Sequence, residues 1–253
     1  MPPFVLVDGS YFLFRAFHAL PPLTTSTGLQ TNAIRGAISA IQKLMRRIQP
    51  THMAVIFDTP EPTFRHALSP IYKGDRPSMP DELSQQITYL HNLIRALGIP
   101  LHVLPGAEAD DIIGTLAHQV DKSLFDVVIL TGDRDLTQLA TEDIKVDITV
   151  KGVSEIDSYT PAFIAEKYDG LTPNQIIDMK GLAGDASDNI PGVTKIGEKT
   201  AIKLLKEFGS VEGIYEQIDT LKPSKMKQNL INDKEQAFLS KKLATIEVNA
   251  PID

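Results

Sequence analysis

The sequence predicts an α/β protein: a mostly parallel twisted sheet flanked by helices, followed by a small helical domain containing a helix-hairpin-helix. Three observations carry that prediction. Four short apolar runs are continuous rather than alternating, as strands buried on both faces read. Helical patterns lie between them, and strand–helix alternation implies parallel pairing. From about residue 160 onward the strand signal fades and only helical segments separated by Gly and Pro remain.

In chain order the strands are FVLVD (4–8), MAVIFD (53–58), PLHVL (100–104) and DVVILTGD (126–133). A helix follows the first strand. Further helices are expected over 31–48, over 80–97 with proline and acids in its first turn, and over 108–120. The segments TPAFIAEKY, TPNQIIDMKGLAG, EKTAIKLLKEF, VEGIYEQI and KEQAFLSKKLATI supply the helical part. The division is drawn as 1–158 for the α/β domain and 159–253 for the helical one, with the helix-hairpin-helix at about 185–209. Residues 59–80 are Pro-rich, basic and weakly periodic, a long excursion from the top of the sheet of the kind that is usually either functional or disordered.

At 253 residues the chain can bury a sizeable core. It has no cysteine, which excludes disulfides, zinc–thiolate sites and thiol catalysis and fits a reducing cytoplasm. No run approaches the ~20 apolar residues of a membrane span, and MPPFVLVDGS lacks the basic region of a secretory signal. A net charge of −7 at first argues against a nucleic-acid partner.

The acids change that reading. Asp8, Asp58 and Asp133 (with Asp135) each follow an apolar strand, and in a parallel sheet all carboxyl ends share one edge, where open α/β folds place their sites. Glu108, Asp110 and Asp111 open the helix after the third strand and reach the same edge. Asp185 and Asp188, spaced i, i+3, fall on one face of a turn. Taken alone, the second group is equally explained by the helix macrodipole and the third by a solvated turn. Like charges so crowded repel by about 1 kcal/mol per pair even in water. All three groups on one edge point to hard divalent cations, two of them given so many carboxylates, and without His or Cys company to Mg²⁺ or Mn²⁺ rather than zinc. With these nine acids set aside, the −7 becomes +2, and the total no longer opposes DNA.

Two segments offer cations. In IPGVTKIGEKTAIKLLKEFG (190–209), Gly192 and Gly197 flank a hairpin that includes Val193 and Lys195, and the next helix presents Lys199, Lys203 and Lys206. Close backbone approach and helix-start amides suit a phosphate, read without base sequence; a Gly-capped helix junction with a solvated lysine face is the plainer alternative. In IYKGDRP (71–77), Tyr72 offers a stacking face and Lys73 and Arg76 two charges, though an ordinary basic exposed loop reads the same way, while Arg15 on the first helix can reach the same edge or simply be a surface arginine. The six histidines show no ligand spacing.

Together, VDGSYFLFRAFHALPPL, VIFD, TFRHALSPIYKGDRP, GAEADDIIGTLA, LTGDRDLTQL and GLAGDASDNIPGVTKIGEKTA resemble the 5′-nuclease domain of bacterial DNA polymerases, within the flap endonuclease family, over nearly the whole chain. The resemblance implies structure-specific hydrolysis of DNA at 5′ flaps, nicks and duplex 5′ ends, RNA primers among the strands removed, in primer removal and repair. It implies two Mg²⁺ (Mn²⁺ substituting) on all nine acids: Glu108, Asp110 and Asp8 holding the first ion with Asp58 close by, and Asp111, Asp133, Asp135, Asp185 and Asp188 serving the second. Asp8, Asp110 and Asp111 would be catalytic through the ions. Lys73 and Arg76, at the foot of a helical arch spanning about 59–97, would act on the scissile phosphate. Residues 192–197 would hold duplex DNA, with K⁺ on the hairpin carbonyls. The protein is expected to be a monomer, cytoplasmic and associated with the nucleoid. Asp75 inside YKGDR departs from many relatives and weakens the local positive field. The end at EVNAPID suggests a fragment of a polymerase.

Rival readings fit less well. A haloacid-dehalogenase-type phosphatase needs an acid two residues after Asp8, where Ser10 stands. A PIN-like ribonuclease would lack the hairpin at 190–209. A stand-alone exonuclease remains a close alternative, and a degenerate DNA-binding module is disfavoured by the filled acidic set.

Overall fold

The computed structural model describes residues 1–253 apart from 152 and 253. Its centre is a six-stranded sheet in the order β3-β2-β1-β4-β5-β6. β1 (Pro3–Asp8), β2 (His52–Ile56), β3 (Leu101–His102), β4 (Asp126–Thr131) and β5 (Ile144–Lys151) run parallel, and β6 (Glu155–Tyr159) returns antiparallel beside β5. β1 is central, with Leu6 opposite Ala54 on one side and Ile129 on the other. Buried on both faces, it has no water-facing side to be polar on, hence FVLV.

Alternate residues of these strands feed two cores. Val5, Val7, Val55 and Leu130 pack with α1 (Gly9–Ala19), α2 (Asn32–Ile48) and α4 (Asp81–Ala96). On α2, Ala33, Ala37, Ile41 and Leu44 form the buried stripe, the large ones each worth roughly 1.5–3 kcal/mol. Leu6, Ile56, Ile129 and Val146 pack on the opposite face with α5 (Ala109–Gln119), and that core continues into the C-terminal helices through Ile164, Leu182, Leu205 and Ala237. The helices there are α6 (Pro161–Lys167), α7 (Gln175–Ala183), α8 (Glu198–Phe208), α9 (Val211–Glu216), α10 (Lys225–Asn232) and α11 (Lys234–Ala244). Among the described residues, no helix is long and apolar enough to cross a membrane.

The mostly parallel sheet and its four strands stand as the sequence predicts, and two further strands join them. IKVDITVK alternates: Ile144, Val146 and Ile148 enter the core while Lys145 is only partly covered. A reading tuned to continuous runs passes over it. Two short helices are also new: α10, and α3 (Phe64–Leu68) inside the excursion. A buried glutamine ties the next helix down: Gln86 of α4 accepts the amides of Ala33 (2.9 Å) and Ile34 (3.2 Å), satisfying orphan donors at the start of α2.

Candidate active site

The carboxyl edge of the sheet is where the acids gather. Asp8 ends β1 and caps α1, accepting the Tyr11 amide at 2.9 Å and the Thr131 hydroxyl at 2.7 Å. Asp58 follows β2 and accepts the Ala109 amide at 2.8 Å, which fastens the start of α5 to that edge. Asp133 follows β4 and accepts the Asp135 amide at 2.9 Å. These three, with Glu108, Asp110, Lys73 and Arg76, line a cavity of about 360 Å³. Gly132 is needed in its wall, since a Cβ there would stand 2.1 Å from the Tyr11 ring. A larger cavity of about 550 Å³ beside α1 and α2 has no acid in its lining and is a separate, apolar feature.

The electrostatics of the cavity are those of carboxylates crowded together. Burial, with Asp58 and Asp133 adding repulsion, pushes Asp8 up to about 7 against the hydrogen bonds it accepts. Burial and the charges of Asp133 and Asp8 likewise hold Asp110 well above the ordinary carboxylate range. Cationic side chains relieve the rest. Lys73 Nζ donates to Glu108 at 2.8 Å and lies 3.8 Å from Asp188, and Arg76 pairs with Asp188. Burial opposes the charge on Lys73, yet Glu108 and Asp188 keep its pKa above the usual lysine value. Lys180 of α7 bridges Asp135 and Asp185, the latter at 2.6 Å. Among the described residues, no three acids already stand around one point at ligand geometry. Hard oxygen donors without His or Cys, crowded and short of positive charge, nonetheless suit Mg²⁺ or Mn²⁺.

Not every expected residue faces this edge. Asp111 is 1% exposed and turned inward: Arg65 grips both oxygens, and the amides of Glu108 (3.2 Å) and Glu247 (2.9 Å) complete them. The reason is helical: neighbours on a helix point about 100° apart, so Asp110 and Asp111 cannot share a face. Tyr72 is no stacking platform. It is 3% exposed, packs with Ile190 and Leu243, and donates to Glu108 (3.2 Å) and Asp188 (3.4 Å). Phe14, exposed at the cavity's rim, and Tyr11 are the aromatic residues that line it. Arg15 is also tied away: it donates to Thr149 Oγ1 at 2.8 Å and lines the apolar cavity instead.

The hairpin divides similarly. The Gly192 amide donates to Ser240 Oγ (2.9 Å), its carbonyl accepts from Gln236 (2.5 Å), and its Cα packs so closely that a Cβ would lie 2.2 Å from the Gly184 nitrogen. Buried Val193 donates to the Leu182 carbonyl at 2.7 Å. Both are internal, not surface contacts. Lys195, Lys199 and Lys203 are exposed, and Gly197 opens α8 with nothing within 4 Å of a notional Cβ. Lys206 pairs with Asp169 at 2.7 Å.

Two residues given no role from sequence are central here. Arg65 sits inside TFRHALSPIYKGDRP, and that block's likeness to the family was the available signal. Lys180, five residues before Asp185, carried no signal beyond its position on a helix leading into the acids.

Sheet, acidic cavity and cationic excursion together make one site, in which crowded carboxylates face Lys73 and Arg76. In the family comparison, residues 3–169 match the 5′-3′ exonuclease N-terminal resolvase-like domain and residues 171–253 the 5′-3′ exonuclease C-terminal SAM fold. The chain belongs to the 5′-3′ exonuclease family. It is 51% identical over 249 residues to DNA polymerase I of Bacillus caldotenax and 52% identical over 252 residues to that of Streptococcus pneumoniae R6, covering 98% of this chain in each case. The chain spans only 28% and 29% of the length of those relatives. Among solved structures, the bacteriophage T5 5′-exonuclease with bound zinc superposes with a TM-score of 0.80 at 26% identity, covering 97% of this chain and 90% of that one. The bacteriophage T5 D15 flap endonuclease, solved as a pseudo-enzyme–product complex with DNA and metal ions, gives 0.79 at 25%, covering 97% and 89%. The Rad2 catalytic core, at 19% identity and a TM-score of 0.63, shares the fold.

Proposed function

We propose that this chain is a divalent-metal-dependent, structure-specific 5′ nuclease that hydrolyses DNA at 5′ flaps, nicks and duplex 5′ ends. The observation that supports it most is the convergence of Asp8, Asp58, Glu108, Asp110 and Asp133 on one cavity whose other polar wall is Lys73 and Arg76. The T5 flap endonuclease it resembles was solved with both DNA and metal ions. Glu108, Asp110, Asp8 and Asp58 would hold one Mg²⁺, and Asp133, Asp135, Asp185 and Asp188 a second, with Mn²⁺ substituting. When bound, the ions supply an acidified water and offset charge on the attacked phosphate.

The chain's own groups do the rest. Lys73 and Arg76 exchange carboxylate partners for the scissile phosphate, a point charge and a planar fork on the same group. Arg65 keeps Asp111 neutralised, so that the edge presents fewer mutually repelling acids. Gly197, Lys195, Lys199 and Lys203 grip duplex backbone irrespective of sequence, with K⁺ at the hairpin as a further element. We infer a monomer working on nucleoid DNA in the cytoplasm, RNA primers included among its substrates.

The test is cleavage of a 5′-labelled flap duplex beside a covalently closed circle and a free single strand. Products cut near the flap junction, with the circle left intact, support the reading. Equal cutting of all three overturns it.

A further inference from the structure

We propose that Lys180 is a built-in counter-ion of the second cation position: its ammonium stands between Asp135 and Asp185 and sets how tightly a divalent ion is held there. The inference rests on the metal reading above and adds a residue to it.

The placement is specific. Lys180 Nζ pairs with Asp135 on the segment after β4 and, at 2.6 Å, with Asp185 in the loop after α7, so one side chain ties two distant segments. Its side chain is 14% exposed. The backbone that carries it is fixed: the Lys180 carbonyl accepts the Gly184 amide at 2.8 Å, and Gly181 packs so tightly on α11 that a Cβ would stand 2.9 Å from the Lys241 Cβ.

Lys73 and Arg76 also neutralise acids, but they line the cavity and are placed to meet a phosphate. Lys180 does not line it. Its charge is spent on the two carboxylates. A single positive charge balances half of that pair, whereas a divalent ion balances all of it. Ion and ammonium repel, so the ion enters only as Lys180 swings aside, and its affinity is lowered by that competition. The arrangement keeps Asp135 and Asp185 in place before the ion arrives.

The experiment counts Mn²⁺ bound to the DNA-free chain by calorimetry at pH 8, together with thermal midpoints in EDTA and in Mn²⁺. In Lys180→Met the midpoint in EDTA should fall, the midpoint gain on adding Mn²⁺ should exceed that of wild type, and the weaker site should tighten roughly tenfold or more. Lys180→Arg, which keeps the charge, should bind as wild type does. Lys180→Gln replaces the methionine variant if that one does not fold. A merely structural lysine would lower both midpoints equally and leave affinity alone. Two Mn²⁺ bound by wild type with unchanged affinity in the neutral variants overturns this inference only. No Mn²⁺ bound by wild type overturns the metal reading as well.

Discussion

Arg65 closes on Asp111 with two guanidinium nitrogens, at 2.8 and 2.7 Å, and draws that carboxylate into the interior while Asp110, one residue earlier, lines the cavity. The pair joins the excursion to the start of α5, and Arg65 also donates to the carbonyls of Leu243 (2.9 Å) and Thr245 (2.7 Å). One ion pair thus fastens three parts of the chain under the acidic edge.

Breaking such a pair leaves a buried charge uncompensated, at a cost of about 3–5 kcal/mol. Arg65→Met should therefore lose stability of that size. Asp111→Asn should lose stability too, yet bind Mn²⁺ nearly as wild type does, whereas Asp110→Asn should bind it poorly. Urea unfolding and Mn²⁺ titration of the three variants check this. An Asp111→Asn protein of normal stability that loses Mn²⁺ would place Asp111 among the ligands.

Acid should stabilise the metal-free protein. Asp8 is raised to about 7 and Asp110 is raised as well, so between about pH 4 and 7 the folded state holds protons that the unfolded chain has released. Their charging costs the fold nothing below pH 4 and on the order of a few kcal/mol above pH 7. In EDTA the thermal midpoint should rise as pH falls from 8 to 5.5. The same titration makes Mg²⁺ compete with protons, so affinity should drop over that range. A midpoint that declines steadily toward pH 5.5 would show these carboxyls are not charged under strain.

Gly192 and Gly197 should behave differently although both flank the hairpin. Gly192 has φ +63° and no room for a Cβ, so Gly192→Ala should destabilise the fold itself. Gly197→Ala has room and should leave the melting curve in place. Replacing Lys195, Lys199 and Lys203 with Ala should weaken duplex binding in Ca²⁺ and flatten its salt dependence by up to about three contacts' worth. An unchanged salt slope would remove this face from the interface.

What the sequence made legible follows the physics of each element. A strand buried on both faces is a run of Val, Ile and Leu, and where it ends in Asp the edge of the sheet declares itself; Asp8, Asp58 and Asp133 were readable for that reason. β5 was not, because IKVDITVK alternates as a strand near the sheet's margin does. α3 has five residues, too few to show a period, and it is held by Arg65 rather than by helix propensity. Spacing also assigned too much. Adjacency in sequence put Asp111 beside Asp110 although a helix turns them apart, and a loop position made Tyr72 look exposed when its hydroxyl is needed under Glu108 and Asp188.

Lys73 and Arg76 should act on the rate rather than on affinity. If they stabilise charge developing on the phosphate, Lys73→Ala and Arg76→Ala should each slow single-turnover flap cleavage by roughly 10²–10³-fold. Binding in Ca²⁺ should change far less, since other contacts hold the backbone. A Lys73→Ala protein that cuts at near wild-type rate would take this residue out of the active site.

Everything proposed for the sheet edge depends on its acids working through divalent cations, two of them. Single-turnover cleavage of a 5′-flap duplex across a Mg²⁺ titration is the decisive measurement. Two-ion chemistry requires no cleavage in EDTA, recovery on adding Mg²⁺ or Mn²⁺, and a rate that climbs faster than the first power of Mg²⁺ concentration below saturation. Robust cleavage in metal-free buffer would contradict it outright, and a strictly first-power dependence would contradict the second ion.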